Sequence, residues 1–402
     1  MEKAIKFLFI LLLAVFPLGQ LGRVELGGGI NILFNDLIVF AVVMAWVASK
    51  IWRKNFPKTQ LTKPIVIFTA AAVFSLILQI GKIPPPSIFA SSLYLVRWIF
   101  YAGLYFVASD FDKSFRNKIS YGFVAVGFVT ILLGFVQYFL YSNLRNLYYA
   151  GWDEHLYRLF SSFLDPNFAG GIFVLVFILA LSLFYQGVLS NTPPRWKRSY
   201  TSVILVMIAV VSFIALLLTY SRGSFLAFIS GTLVFLLLTG RKKIIVFFLA
   251  VFIGGIILLP KSLAGEGVKL LRTASIEERL KSMEHAVAIF KDSPVFGVGF
   301  NTYRYAQKDY GFLPEDNWQV VHSGAGTDNS FLFVLATTGV VGFAAYLYFW
   351  VRVLREVRGS PMMVASIVGI FVHSFFVNSL FYPQILEWLW ILLAISTVRR
   401  LS

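Results

Sequence analysis

Four short pieces decide how this chain is read: Ser275-Ile-Glu-Glu-Arg279, Pro294-Val-Phe-Gly-Val-Gly299, Thr327-Asp328-Asn329-Ser330 and Gly339-Val-Val-Gly342. They lie within or just beyond the one long polar segment, residues 262–327, where it gives way again to apolar sequence. On both sides of that segment, apolar runs of roughly 18 residues or more recur, each long enough to cross a hydrocarbon core of about 30 Å. The pattern predicts an all-α polytopic membrane protein with a single large helical outer loop. Its divisions are 1–261 (about nine helices), the loop 262–327, and 328–402 (about three helices).

Composition supports that class. Of 402 residues, 58% are hydrophobic and 13% charged, against about 25% charged in soluble domains. The net charge of +16 does not point to nucleic acid, because most basic residues sit in short clusters between apolar runs, where inner-leaflet anchors belong. The absence of cysteine excludes disulfides, thiolate metal sites and cysteine nucleophiles. No His/carboxylate cluster has the spacing of a metal site, so neither a metal nor any other cofactor is expected. Lys3 and Lys6 precede the apolar residues 7–16 as in a signal peptide. No small-x-small cleavage site follows, which predicts an uncleaved first helix.

The spans are expected near 4–21, 31–51, 64–81, 92–109, 118–141, 168–189, 200–219, 223–239, 243–261, 329–351, 361–380 and 383–398. Pro84-Pro85-Pro86 reads as a helix stop. Basic clusters fall on one side of this array: Lys50 to Lys63, Lys113 to Lys118, Arg195 to Arg198, Arg241 to Lys243, Arg352 to Arg358, and Arg399 with Arg400. The opposite loops hold few, among them Arg23, Lys82, Arg145, Arg158 and Arg222. The positive-inside rule then places both termini in the cytoplasm. Within the large loop, Ser275 and Glu278 have the spacing of a capping box. Leu280, Met283, Val287 and Phe290 follow at helical spacing, which predicts an amphipathic helix over the membrane domain.

Several ionisable groups collect at the outer ends of the spans. Arg222, in the turn Leu218-Thr-Tyr-Ser-Arg222-Gly223, is either an interfacial snorkelling residue or a guanidinium clamp for phosphate oxygens. Arg279 is either a solvated helical charge or a second clamp. Asp328 and Asn329 suit a helix N-cap, and the carboxylate also suits a base that takes a proton from an acceptor hydroxyl. Arg158, with Asp165-Pro166-Asn167 just before a span, fits turn and cap chemistry. His322 lies six residues before Asp328. Asp110-Phe-Asp112 has the spacing of a metal and nucleotide-sugar pair, but it falls in a cytoplasmic loop and reads as capping and charge balance.

Taken together and in order, these pieces resemble the O-antigen ligase and O-antigen polymerase family of bacterial surface polysaccharide assembly. Residues 158–167 are similar to the family's Arg…Pro-Asn segment before a span, and Ser221-Arg222-Gly223 to its arginine turn. Residues 279–299 resemble the start of its periplasmic loop. Asp328-Asn329, nine residues, then Gly339-Val-Val-Gly342 has the spacing of its His-Asn…Gly-x-x-Gly. Aspartate stands where the ligase pattern has its catalytic histidine, so either Asp328 itself or His322 takes that place.

The resemblance implies an inverting glycosyltransferase of GT-C type in the inner membrane, acting in lipopolysaccharide biosynthesis. It would use no metal and no nucleotide sugar. The donor would be a glycan on undecaprenyl pyrophosphate, and the acceptor lipid A-core (ligase) or a second lipid-linked glycan (polymerase). Arg222 and Arg279 would neutralise the leaving phosphates, and Asp328 would ready the acceptor hydroxyl. Arg158, Asn167, Ser221, His322 and Asn329 would bind substrate, and the apolar spans and membrane lipids would hold the prenyl tail. A multi-span transporter is the rival class. It is disfavoured by the lack of similarity between the two halves and by the collection of charge at the outer face. A scaffold role is the third reading.

Overall fold

The structure is a computed structural model describing residues 1–402 except 58, 190–194, 261–267, 271–272, 317, 319–321 and 399–402. In chain order the helices are α1 (Glu2–Val15), α2 (Phe34–Arg53), α3 (Thr62–Ile77), α4 (Pro85–Asp110), α5 (Lys113–Leu140), α6 (Pro166–Leu189) and α7 (Arg195–Leu218). They continue with α8 (Arg222–Leu238), α9 (Ile244–Ile257), α10 (Ala274–Asp292), α11 (Tyr303–Asp309), α12 (Ser330–Val357), α13 (Pro361–Ser374) and α14 (Pro383–Val398). Every expected span coincides with an apolar helix. Seven helical segments among the described residues are long and apolar enough to cross a membrane, and five apolar helices are shorter. The fold is that of a polytopic helical membrane protein.

Local sequence sets the helix starts. Asp112 caps α5 by accepting from Phe115 N, and Ser360 caps α13 ahead of Pro361. The Pro84-Pro85-Pro86 run does not merely end a helix. Pro84 is the N-cap of α4 and Pro85 opens its first turn, where the fixed φ of proline suits a helix and its missing N–H costs nothing. Asp110 and Asp112 serve as charge balance and cap, as expected. Asp110 binds Lys50 at 2.7 Å, and Asp112 binds Lys6 at 2.5 Å.

The all-helical expectation omits one element. Residues between α1 and α2 form an antiparallel hairpin, β1 (Arg23–Gly27) and β2 (Ile30–Leu33), with Arg23 opposite Leu33. Gly27, Gly28 and Gly29 all have positive φ at its tip, a conformation that favours glycine.

Two packing arrangements position the outer ends of the helices. α8 crosses α13 where Gly231 and Gly369 meet. A Cβ on Gly231 would stand 3.0 Å from Ala365 O, and one on Gly369 3.0 Å from Ala227 O. Small residues here let the backbones approach closely. α12 is broken at Gly339 (φ 64°). The segment Pro294–Gly299 lies against the break like a strand: Val298 N and Gly299 N donate to Ala336 O and Thr337 O, while Val340 N and Val341 N donate to Pro294 O and Val295 O. Ser75 Oγ lies 2.7 Å from both Phe296 O and Thr337 O. A broken helix is tolerated at membrane depth where protein groups satisfy its backbone.

The register of α10 differs from expectation. Its N-cap is Thr273, without a side-chain bond, so Ser275 lies inside the first turn and forms no capping box. Ala286 and Ile289 are buried, 1% and 0% exposed, while Leu280 and Val287 are 53% and 37% exposed. The buried face packs on Tyr303, Phe333 and Ala336, one step around the helix from the predicted stripe.

Candidate functional site

The N-terminal ends of α6, α8 and α12, the helix α10 and the C-terminal end of α13 converge. Arg158 is buried, and its Nε donates to Thr219 O at 2.9 Å. The next residue donates from Leu159 N to Leu218 O at 2.9 Å. The segment before α6 is thereby laid along the turn before α8. Asp165 Oδ1 accepts from Asn167 N at 2.6 Å and Phe168 N at 3.3 Å, which is cap chemistry for α6. Asn167 then reaches across: its Oδ1 accepts from Ser221 Oγ at 2.8 Å. Ser221 is the N-cap of α8, so Arg222, the first residue of that helix, is held by a bond from α6. Arg222 Nη1 donates to Leu270 O at 3.4 Å in the outer loop.

Beneath that turn lies a buried polar chain. Ser224 Oγ is 2.9 Å from Ser221 Oγ and 3.1 Å from His373 Nε2. His373 Nδ1 is 2.5 Å from Ser379 Oγ. Ser379 Oγ also donates to Val377 O at 3.4 Å. Both ring nitrogens of His373 thus have a hydroxyl partner. His373 and Ser224 are fully buried. Neither was singled out from the sequence, although a histidine inside an apolar helix is itself a signal.

On the other side, α10 is tied to the start of α12. Asp328 N donates to Ser282 Oγ at 3.1 Å, and Ser282 Oγ lies 3.3 Å from Thr327 Oγ1. Arg279 stands three residues before Ser282, on the same helical face. Asn329 Oδ1 accepts from Phe331 N and Leu332 N at 2.9 and 3.0 Å, so Asn329 is the N-cap of α12. Its Nδ2 donates to Phe375 O at 3.4 Å.

Electrostatics link the two sides. Arg279 is close enough to Arg222 for the two guanidiniums to repel, and close enough to Asp328 to attract its carboxylate. Burial pushes the Asp328 carboxyl up to about 6; Arg279 opposes the rise, and Asp165, Glu278 and Asp153 add to it. Burial also raises Asp153, with Asp165 and Glu278 adding to the rise and Arg158 opposing it. Arg158, Arg222, Arg279 and Asp328, which are far apart in sequence, therefore share one neighbourhood with three further carboxylates. The cluster can hold an anion beside a carboxylate that titrates near neutrality. His322 opens a short 3-10 turn, 322–325, and its side chain lies outside the described residues. The two described cavities lie elsewhere.

Residues 207–347 match the family described as O-Antigen ligase. Over these residues the chain is similar to the O-antigen ligase family. The ligase-family segment runs from within α7 into α12. It contains Ser221, Arg222, Arg279, His322, Asp328 and Asn329, and also the Gly297/Gly339 junction that fixes α10 against α12. Arg158 and Asn167 precede it and join it through the bonds to Thr219 and Ser221. His373 follows it and joins through Ser224. Among curated proteins no match was found.

Proposed function

We propose that the protein is a glycosyltransferase of O-antigen ligase type. It moves a glycan from undecaprenyl pyrophosphate to a hydroxyl of lipid A-core at the periplasmic face of the inner membrane. The observation that carries this reading is that Arg279 lies within electrostatic reach of both Arg222 and Asp328, all three within the segment similar to the ligase family. Arg222 and Arg279 neutralise charge on the departing diphosphate, where negative charge grows in the transition state. Asp328 accepts the proton of the attacking hydroxyl, and a carboxyl raised to about 6 is a stronger base than an ordinary carboxylate while still largely ionised at pH 7. Attack from the face opposite the diphosphate inverts the anomeric carbon. Arg158 and the Asn167–Ser221 pair hold the arginine turn in place, and Asn329 fixes the backbone beside the base.

The same chemistry serves a polymerase, whose acceptor is a second lipid-linked glycan. The protein purified in nanodiscs, given an undecaprenyl-diphosphate glycan and lipid A-core, is expected to produce glycosylated lipid A-core and release undecaprenyl diphosphate. Elongation of the lipid-linked donor, with lipid A-core untouched, identifies the polymerase instead. No consumption of donor with either acceptor refutes the transferase reading.

A further inference from the structure

His373 lies in the last turn of the apolar helix α13 and is fully buried. No step of the proposed transfer uses it. A polar ring among apolar helices is costly unless its nitrogens are bonded. Leucine or phenylalanine would fill the same slot without that cost, so any role for the imidazole lies in its bonds.

The ring stands between two other helices. A Cβ on Gly171 of α6 would lie 3.4 Å from His373 Cε1, and one on Gly223 of α8 3.7 Å from Cδ2. The imidazole is thus packed directly on both backbones. With no exposed surface it does not touch a substrate, and it acts only through its neighbours.

Those neighbours lead to opposite halves of the candidate site. His373 Nε2 is 3.1 Å from Ser224 Oγ, which is 2.9 Å from Ser221 Oγ. Ser221 caps α8, and Arg222 follows it directly. His373 Nδ1 is 2.5 Å from Ser379 Oγ, in the turn between α13 and α14. From the same turn Leu380 N donates to Ser330 Oγ at 3.1 Å. Ser330 opens α12, two residues after Asp328. A second bond runs alongside, from Asn329 Nδ2 to Phe375 O at 3.4 Å, two residues after His373. Ser221, Ser224, Ser330 and Ser379 are all fully buried. Bulk water does not compete for these bonds, and a buried network of this kind holds its members in one arrangement.

We propose that His373 is a positioning residue: it fixes the separation between the Arg222 turn and the start of α12, and so holds the diphosphate clamp and the base at the spacing that transfer needs. The proposal rests on the transferase reading above. In-line displacement requires the leaving group and the attacking hydroxyl on opposite faces of one carbon. A misplacement of about 1 Å between the groups that serve them is expected to cost on the order of 10²-fold in rate. The imidazole has no torsion between its two nitrogens, so a hydroxyl bonded at each makes a stiff spacer.

The full-length protein in nanodiscs is assayed with an undecaprenyl-diphosphate glycan as donor and lipid A-core as acceptor, or, for a polymerase, with the lipid-linked glycan alone. His373→Leu keeps most of the bulk of the ring and removes both bonds. In the otherwise wild-type protein it is expected to lower kcat by about 10–10²-fold, with the donor KM within about twofold. In an Arg222→Ala background no guanidinium is left to position, and the same substitution is expected to change kcat by less than about threefold. Partial unfolding would lower both backgrounds by the same factor, so the cycle separates positioning from structure. Should His373→Leu fail to insert, Ser224→Ala, which cuts the chain one bond away, goes through the same cycle. Unchanged kcat in the single variant, or an equal loss in both backgrounds, overturns the role of His373 while wild-type transfer keeps the transferase reading intact. A wild type that transfers nothing overturns both.

Discussion

In the proposed transfer, Asp328 is the residue on which the chemistry turns. Its carboxyl is raised to about 6, chiefly by burial, and only the ionised form accepts a proton. Transfer is therefore expected to rise with pH through about 6 and to level off above it, as read from kcat/KM of the purified enzyme. Asp328→Asn should lower kcat by about 10²–10⁴-fold, the range for loss of a general base, and His322→Ala should leave it within a few-fold. The reverse pattern would hand the role to His322. In the proposed mechanism Arg222 and Arg279 act on the departing diphosphate, so alanine at either should reduce kcat by about 10²–10³-fold while the protein still inserts. Lysine at Arg222 should restore part of the rate, because it keeps the charge but loses the two-pronged geometry. Wild-type-like turnover in the purified alanine variants would sink the clamp.

At the scale of elements, the junction between residues 294–299 and the break in α12 sets where Arg279 stands relative to Asp328. A Cβ on Gly339 would meet Val295 C and O at 2.3 Å, and one on Gly297 would meet Thr337 C at 2.3 Å. Both positions also have positive φ, 64° and 68°. Gly297→Ala and Gly339→Ala are each expected to destabilise the protein by on the order of 1–3 kcal/mol through overpacking and strain. Thermal melting in detergent would show this, with transfer lost in parallel. Melting unchanged from wild type would mean the junction is not a fixed joint. These glycines were visible in the sequence as Gly297-Val-Gly299 and Gly339-Val-Val-Gly342, but their purpose was not. The spacing says nothing of two backbones meeting. The register of α10 was likewise hidden, since Leu280 and Val287 are as apolar as Ile289, and only packing against Phe333 and Ala336 chooses the buried face. The hairpin was missed because a short strand pair between two apolar helices leaves a weak alternation signal.

For the whole molecule, sidedness is the testable property. The chain has no cysteine, so single introduced cysteines report access directly. Glu154→Cys should react with an impermeant maleimide added outside intact spheroplasts, and Lys242→Cys only after lysis, as the distribution of basic clusters demands. Labelling of Lys242→Cys from outside would invert the arrangement and place the arginine cluster in the cytoplasm. The part-buried pair Asp36–Arg97 and the buried pair Asn35–Glu387 put polar groups among the helices. A carrier would use such groups, and vesicle flux of the glycan carrier without transfer would favour that class.

The sequence by itself determined the class of the molecule, the places of its apolar helices and the likeness of residues 207–347 to the O-antigen ligase family. These follow from composition, from run length against bilayer thickness, and from residue types at fixed spacing, all of which are local quantities. Only the tertiary structure decided that Arg158 lies along the α8 turn, that His373 stands beneath it, and that Arg279 comes within reach of both Arg222 and Asp328. Those contacts join residues separated by long stretches of chain, and they are selected by the closeness of helix crossings and the satisfaction of buried polar groups. No single segment encodes either.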